Sequence, residues 1–272
     1  MLKRITITLF AGTLILVGSY FVADYFFSRN YPDTVVDILS QASYSMPRTY
    51  AHRVSSTTET IVPEVPTPTG VLSTDLPKKV LLEVPFTPQA PFGDWTDPRQ
   101  QDGCEEASVV MAWKWVNGEE LTRQQALEEI TQMAEWEKDK YGSARDTSAE
   151  DTLHRLLREY YGYKGGRVEY GITIDKVKTE LAAGNILIIP FDGQVLNNPN
   201  FQNGGPERHM LVVIGYDDVK KQIITNDPGT RLGQGFVYSY DNFEASFRDY
   251  ETGDHELIQG RRTAMIVVEK SV

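Results

Sequence analysis

The chain has 272 residues, 40% of them hydrophobic and 24% charged, which is enough to fill a core of ordinary globular composition without cross-links. A formal net charge of −11 leaves nothing to neutralise phosphates, so it argues against a nucleic-acid partner and suits neutral or basic substrates. The lone cysteine, Cys104, excludes an internal disulfide framework.

Lys3 and Arg4 precede an uncharged, mostly apolar run over residues 5–23. About 19 residues at a 1.5 Å rise reach roughly 28 Å, close to the hydrocarbon thickness of a bilayer. Asp24 and Asp33 follow, with Arg29 between them. The positive-inside rule therefore places the first residues in the cytoplasm and the rest outside. Residues 1–27 read as a membrane anchor, with a signal peptide cleaved near Val17-Gly18-Ser19 as the alternative. The chain is then a single-pass cell-membrane protein, or a secreted one, whose C-terminal domain is extracytoplasmic. Residues 28–79 collect Ser, Thr and Pro, as in Ser55-Ser56-Thr57-Thr58 and Val62-Pro63-Glu64-Val65-Pro66. Such a stretch lacks the periodic apolar residues of a core and reads as an extended spacer.

A folded domain is expected over 80–272. Residues 80–84 form a strand stopped by Pro85. A loop rich in Pro, Gly and Asp leads to a helix from Cys104 to about Asn117, ended by Gly118. A second amphipathic helix covers 121–138. Thr147-Ser148-Ala149-Glu150 reads as a capping box opening a third, and a fourth runs over 173–183 to Gly184. Strands follow at 186–189, 210–214, 222–225, 236–240 and 264–268, the second and third joined as a hairpin through Asp217-Asp218. Helices first and an antiparallel sheet afterwards make an α+β fold, the N-terminal helices packed on the C-terminal sheet.

Four groups bear on chemistry. Cysteines often serve as small core hydrophobes, yet Cys104 follows a glycine at a helix entrance, where free N–H groups favour a thiolate and can hold an oxyanion. Glu105 and Glu106 follow it; their charge would raise the thiol pKa unless they point away, and acidic residues are also ordinary in a first helical turn. Of the histidines, His52 lies in the spacer, His154 inside the third helix and His255 in a polar loop read as solvated. His209 stands at a loop-to-strand junction, which fixes a side chain while leaving it accessible, as a general base requires. A tight hairpin turn at about Asp218 would set His209 opposite Asp227, whose carboxylate could orient the imidazole. A one-residue register shift offers Asn226 instead. Asp217-Asp218 reads as a turn rather than a calcium site. Trp95, in the loop before Cys104, is a candidate cleft wall, whereas Trp113, Trp115 and Trp136 sit on helices and suit the core.

Val84-Pro85-Phe86-Thr87-Pro88-Gln89, Gly103-Cys104, His209-Met210-Leu211-Val212-Val213-Ile214-Gly215-Tyr216-Asp217 and Asn226-Asp227-Pro228, in that order, resemble the bacteriocin-processing (double-glycine leader) peptidase-like family. That family is a branch of the papain-like cysteine peptidases. The resemblance covers about residues 80–270. It implies a papain-like fold with Cys104 as nucleophile, His209 as general base and acid, and Asp227 as the orienting residue. It also implies Gln89 as side-chain oxyanion donor, with Gln100 or Gln101 as alternatives because Gln89 lies further upstream than in the processing peptidases. Glu105-Glu106 replaces the small residues usual after the cysteine. The reaction class so implied is hydrolysis of a peptide or amide bond, without metal or organic cofactor. The expected partner is a peptide or protein substrate, cell-wall peptide among the candidates, with a non-catalytic binding module as the contrasting reading.

Overall fold

The computed structural model describes residues 76–270. The anchor and nearly all of the spacer expected from the sequence lie outside these residues. Among the described residues no helix is long and apolar enough to cross a membrane.

In chain order the domain runs β1 (Lys79–Leu81), α1 (Pro98–Gln101), α2 (Cys104–Asn117), α3 (Arg123–Tyr141) and α4 (Ala149–Asp151, continuing as a π-helix over Thr152–Tyr160). Then come β2 (Arg167–Tyr170), α5 (Ile174–Ala182), β3 (Ile186–Phe191), α6 (Gly193–Leu196), β4 (His209–Asp217) and β5 (Gln222–Asn226). β6 (Phe236–Ser239), α7 (Tyr240–Ser246) and β7 (Ala264–Val268) complete it. The strands form one antiparallel sheet in the order β2-β7-β3-β4-β5-β6, with β1 pairing onto β4.

The helices expected from periodicity all form. α2 ends at Gly118 in the left-handed conformation, and α5 is capped by Thr173. α4 is capped by the Ser148 hydroxyl, which accepts from the Asp151 N–H, while the Thr147 hydroxyl bonds to Thr152 instead. The capping position is thus one residue later than the sequence pattern suggests. β1 is shorter than the expected 80–84 strand, and position 240 opens a helix rather than closing β6.

β4 is buried along all nine residues, because helices cover both faces of the sheet. Met210, Val212 and Ile214 join a core with α2 and α4. Leu211, Val213 and Tyr216 join a second core with α5 and α7. Alternate residues of a strand point to opposite faces, so one apolar run serves both layers.

The β4–β5 hairpin corrects the simple register expected from the sequence. Near the turn Asp217 pairs with Gln222, Tyr216 with Ile223 and Gly215 with Ile224, but Val213 pairs with Thr225 and Val212 with Asn226. Ile214 is the extra residue of a β-bulge. An unbroken ladder would have brought Asn226 opposite Val213, on the face of β4 that starts with His209. The bulge brings Thr225 there and carries Asp227 to the position facing Leu211, again on the His209 face. His209 and Asp227 therefore meet diagonally rather than directly opposed.

Gly215 lies beside this bulge, and a Cβ there would stand 2.3 Å from the Val80 carbonyl oxygen. Gly215→Ala is expected to displace β1 and lower stability by about 1–3 kcal/mol, as overpacked sites do. Chemical denaturation checks this, and an unchanged midpoint would show that β1 yields freely.

Candidate active site

Gly103 lets the chain turn from α1 into α2, for a Cβ at this position would lie 2.4 Å from the Arg99 carbonyl oxygen. Cys104 becomes the first residue of α2, where backbone N–H groups lack partners within the helix. It lines an open cleft together with Gln89, Trp95, Phe201 and His209. The thiol is not left to the helix dipole alone. Its Sγ bonds to Oε2 of Glu105 at 2.9 Å. Burial and the neighbouring Glu105 carboxyl push the thiol pKa well up, against the pull of the Met210 backbone amide.

His209 opens β4 and is buried. Its Nε2 meets Oδ1 of Asp227 at 2.8 Å, which leaves Nδ1 as the nitrogen able to take up a thiol proton. Asp227 is fully buried and richly supplied with donors. Its Oδ1 also accepts from the Gly229 N–H at 2.9 Å, and Oδ2 accepts from the Tyr238 hydroxyl at 2.5 Å and Asn198 Nδ2 at 3.1 Å. Burial alone would raise this carboxyl's pKa, but the His209 imidazole and these donors hold it below its ordinary value. The Phe201 ring stands edge-on to His209 with centroids 5.1 Å apart.

Asn226, the alternative orienting residue, is occupied elsewhere. Its Nδ2 donates to the carbonyls of Val84 and Pro85, and its Oδ1 accepts from the Gly235 N–H. It fastens the segment after β1 to the end of β5.

Both hydrogens of the Gln89 amide go to backbone carbonyls, those of Gln100 at 3.0 Å and Gln101 at 2.8 Å. Gln89 thus ties its loop to the C-terminal end of α1, and donation to an oxyanion would require exchanging one of these bonds. The Gln100 side chain turns to Asp97, at 3.3 Å. The Gln101 side chain is exposed and lines the cleft beside Cys104.

One alternative the sequence left open is resolved, and two features beside the triad candidates escaped the sequence reading. Glu105 and Glu106 do not point to solvent, for both are buried. His255, read as solvated, sits in the cleft with Nδ1 2.9 Å from Oδ2 of the buried Asp146. Tyr238 and Asn198 complete the surroundings of Asp227 from β6 and a loop. A charged pair opening an amphipathic helix carries no sequence signal that distinguishes inward from outward, because both patterns fit a first turn.

Among the described residues neither carboxyl oxygen of Glu106 finds a hydrogen-bond partner. Burial, together with Glu105 and Glu137, pushes its pKa well above 4.5, and burial lifts Glu137 to about 7 despite Arg155. A carboxyl whose pKa is raised by folding stabilises the native state fully below its unfolded value near 4.5. That contribution is lost as pH rises towards the folded value, at up to about 1.4 kcal/mol per pH unit for each group. Glu106→Gln is therefore expected to raise the melting temperature at pH about 8 while changing little at pH about 5. Thermal unfolding at both pH values measures the difference, and a parallel shift at the two would mean that Glu106 is ionised in the native protein.

No curated protein matches the sequence. Among solved structures, one from Bacillus anthracis described as a C39-like peptidase is 18% identical, covering 71% of this chain and 99% of its own, with a TM-score of 0.44. Xylellain, a cysteine protease from Xylella fastidiosa, is 16% identical, covering 71% of this chain and 86% of its own, with a TM-score of 0.36. A family model described as the Peptidase_C39 like family matches residues 81–255, a span that holds the cysteine, the histidine and the aspartate together. The chain belongs to the Peptidase_C39 like family.

Proposed function

We propose that the domain is an extracytoplasmic cysteine peptidase that hydrolyses a peptide or amide bond. Cys104 is the nucleophile, His209 the general base and acid, and Asp227 the residue that orients the imidazole. The observation that carries this reading is the buried His209 Nε2–Asp227 Oδ1 contact of 2.8 Å in a cleft that Cys104 also lines from a helix N-terminus. A carboxylate on one ring nitrogen sets the tautomer and leaves the other to take a proton.

In the reaction, His209 Nδ1 takes the thiol proton and the sulfur attacks the scissile carbonyl carbon. The Cys104 N–H and a glutamine side chain, Gln89 or Gln101, hold the oxyanion. The tetrahedral intermediate collapses to a thioester as imidazolium protonates the departing amine. Water, deprotonated by His209, then releases the acid and the free thiol. The apolar residues 5–23 support placement of this chemistry outside the cell on a membrane anchor, and peptide material of the cell wall is one substrate within reach of such a tether.

A peptide library incubated with the protein, with Cys104→Ala in parallel, tests the reading. Cleavage by the wild type only, with an acyl adduct on Cys104 detected by mass spectrometry, is the expected outcome. Absence of cleavage and adduct from both a peptide library and cell-wall material would favour the second reading, a tethered binding module. The observation on that side is the Cys104 thiol donating to Oε2 of Glu105 at 2.9 Å.

A further inference from the structure

We propose that Glu105 works as a neutral carboxylic acid whose O–H donates to the Cys104 thiolate, making it a third proton-handling residue of this site. The inference rests on the cysteine hydrolase reading and adds a residue to it.

The geometry leaves room for one proton and not for none. Oε2 of Glu105 lies 2.9 Å from Sγ, and both groups are buried. A thiolate and a carboxylate at that separation without a proton between them would be two like charges in a low-dielectric pocket. Among the described residues no cation pairs with Glu105 to relieve them. Oε1 accepts from the Tyr250 hydroxyl at 2.6 Å and, more weakly, from the Thr147 N–H at 3.4 Å. Of the other ionisable groups that bear on it, Asp146 contributes a further negative charge, and Glu106 is the next residue of the same helix. Asp146 spends its own carboxylate on His255 and on Arg208, 3.5 Å from the Arg208 Nε. Burial accordingly lifts Glu105 to about 8, so it holds a proton through the neutral range.

The proton accounting closes. When Cys104 ionises, the S–H bond breaks, its electron pair stays on sulfur, and an N–H bond forms at His209 Nδ1. Glu105 keeps its own proton, taken from solvent, and turns it towards the new thiolate. While it holds its proton, the acidic residue beside the nucleophile thus stabilises the thiolate; it is the ionised carboxylate that pushes the thiol pKa up. Above its pKa the relation reverses, because Glu105 loses the donor and becomes a like charge.

The test is the iodoacetamide alkylation rate of the full-length chain against pH, where the lone cysteine makes the readout specific. The wild type is expected to alkylate fast near neutrality and more slowly above pH about 8. Glu105→Gln, whose amide N–H still donates and cannot ionise, should stay fast into the alkaline range. Glu105→Ala should be slower near neutrality by about 10- to 100-fold, the loss of one hydrogen bond to a charged group. Tyr250→Phe removes a donor that favours the carboxylate, so the alkaline fall should move to higher pH. Acceleration by both Gln and Ala near neutrality would overturn the proposal, since Glu105 would then be an anionic suppressor. Unchanged profiles in both, with only a lowered melting temperature, would overturn it by showing a structural role. His209→Ala alkylating as fast as the wild type would instead sink the hydrolase reading, and the Gln and Ala variants would still report the Glu105 proton.

Discussion

Alanine at position 209 is expected to lower kcat/KM for amide hydrolysis by about 10²- to 10⁴-fold, the span usual for loss of a general acid–base. The variant should still fold. Asp227 keeps the hydroxyl of Tyr238, the amide of Asn198 and the Gly229 N–H as donors when the imidazole is gone. The thiol, by contrast, keeps a buried setting that disfavours its anion, so alkylation near neutrality should slow along with turnover. Steady-state hydrolysis and alkylation on the same preparation check both. A folded His209→Ala protein with wild-type turnover would remove His209 from the mechanism.

Asp227→Ala should do more harm to the fold than any other single change at the site. It removes the acceptor for His209, Tyr238, Asn198 and the Gly229 N–H at once, and all three of these side chains are buried. Leaving a buried donor without its acceptor costs about 1–3 kcal/mol each, so together these losses are a large share of the stability of a domain this size. Because the Asp227 pKa is depressed by folding, its contribution is present above the unfolded value near 3.8. It is lost only as pH falls through the lower folded value. The gap between variant and wild type in urea unfolding should therefore be wide at neutral pH and close in strong acid. Asp227→Asn keeps the volume but brings an amide among donors, so it should recover part of the stability and little of the rate. Equal midpoints for Ala and wild type would show that Tyr238 and Asn198 are satisfied without the carboxylate.

The sequence carried the architecture well wherever burial follows a period. α2, α5 and β7 lie where apolar spacing and flanking glycines put them, because a helix or strand must bury its apolar positions to form at all. Short elements were less legible. α1 spans Pro98–Gln101 and α7 spans Tyr240–Ser246, too few residues for a repeat to rise above composition. β2, with the sequence Arg-Val-Glu-Tyr, is only partly covered at the edge of the sheet, so it has no apolar run to announce it.

Cys104 and His209 stood out through their neighbours, a glycine before a helix and a loop before an apolar strand. The choice between Asp227 and Asn226 was not decidable by counting from the turn, since a bulge at Ile214 alters the count; the glycine at 215 marks a bulge or a close backbone approach without saying which register results. The inward direction of Glu105 depends on Tyr250, 145 residues away in the chain. No local pattern encodes a partner at that distance.

β1 gives the way the chain enters the domain a mechanical meaning. Its three residues lie along β4 just beyond the stretch paired with β3, fastened by the pairs Lys79–Asp217, Val80–Tyr216 and Leu81–Gly215. The loop that follows bears Gln89 and is sewn to the Asp227 turn by the Gln89 N–H bond to the Pro228 carbonyl. A pull on the chain ahead of Lys79 would load these few bonds first and then drag on the loop that floors the cleft. The short strand thus takes up such a load before it reaches the loop that bears Gln89.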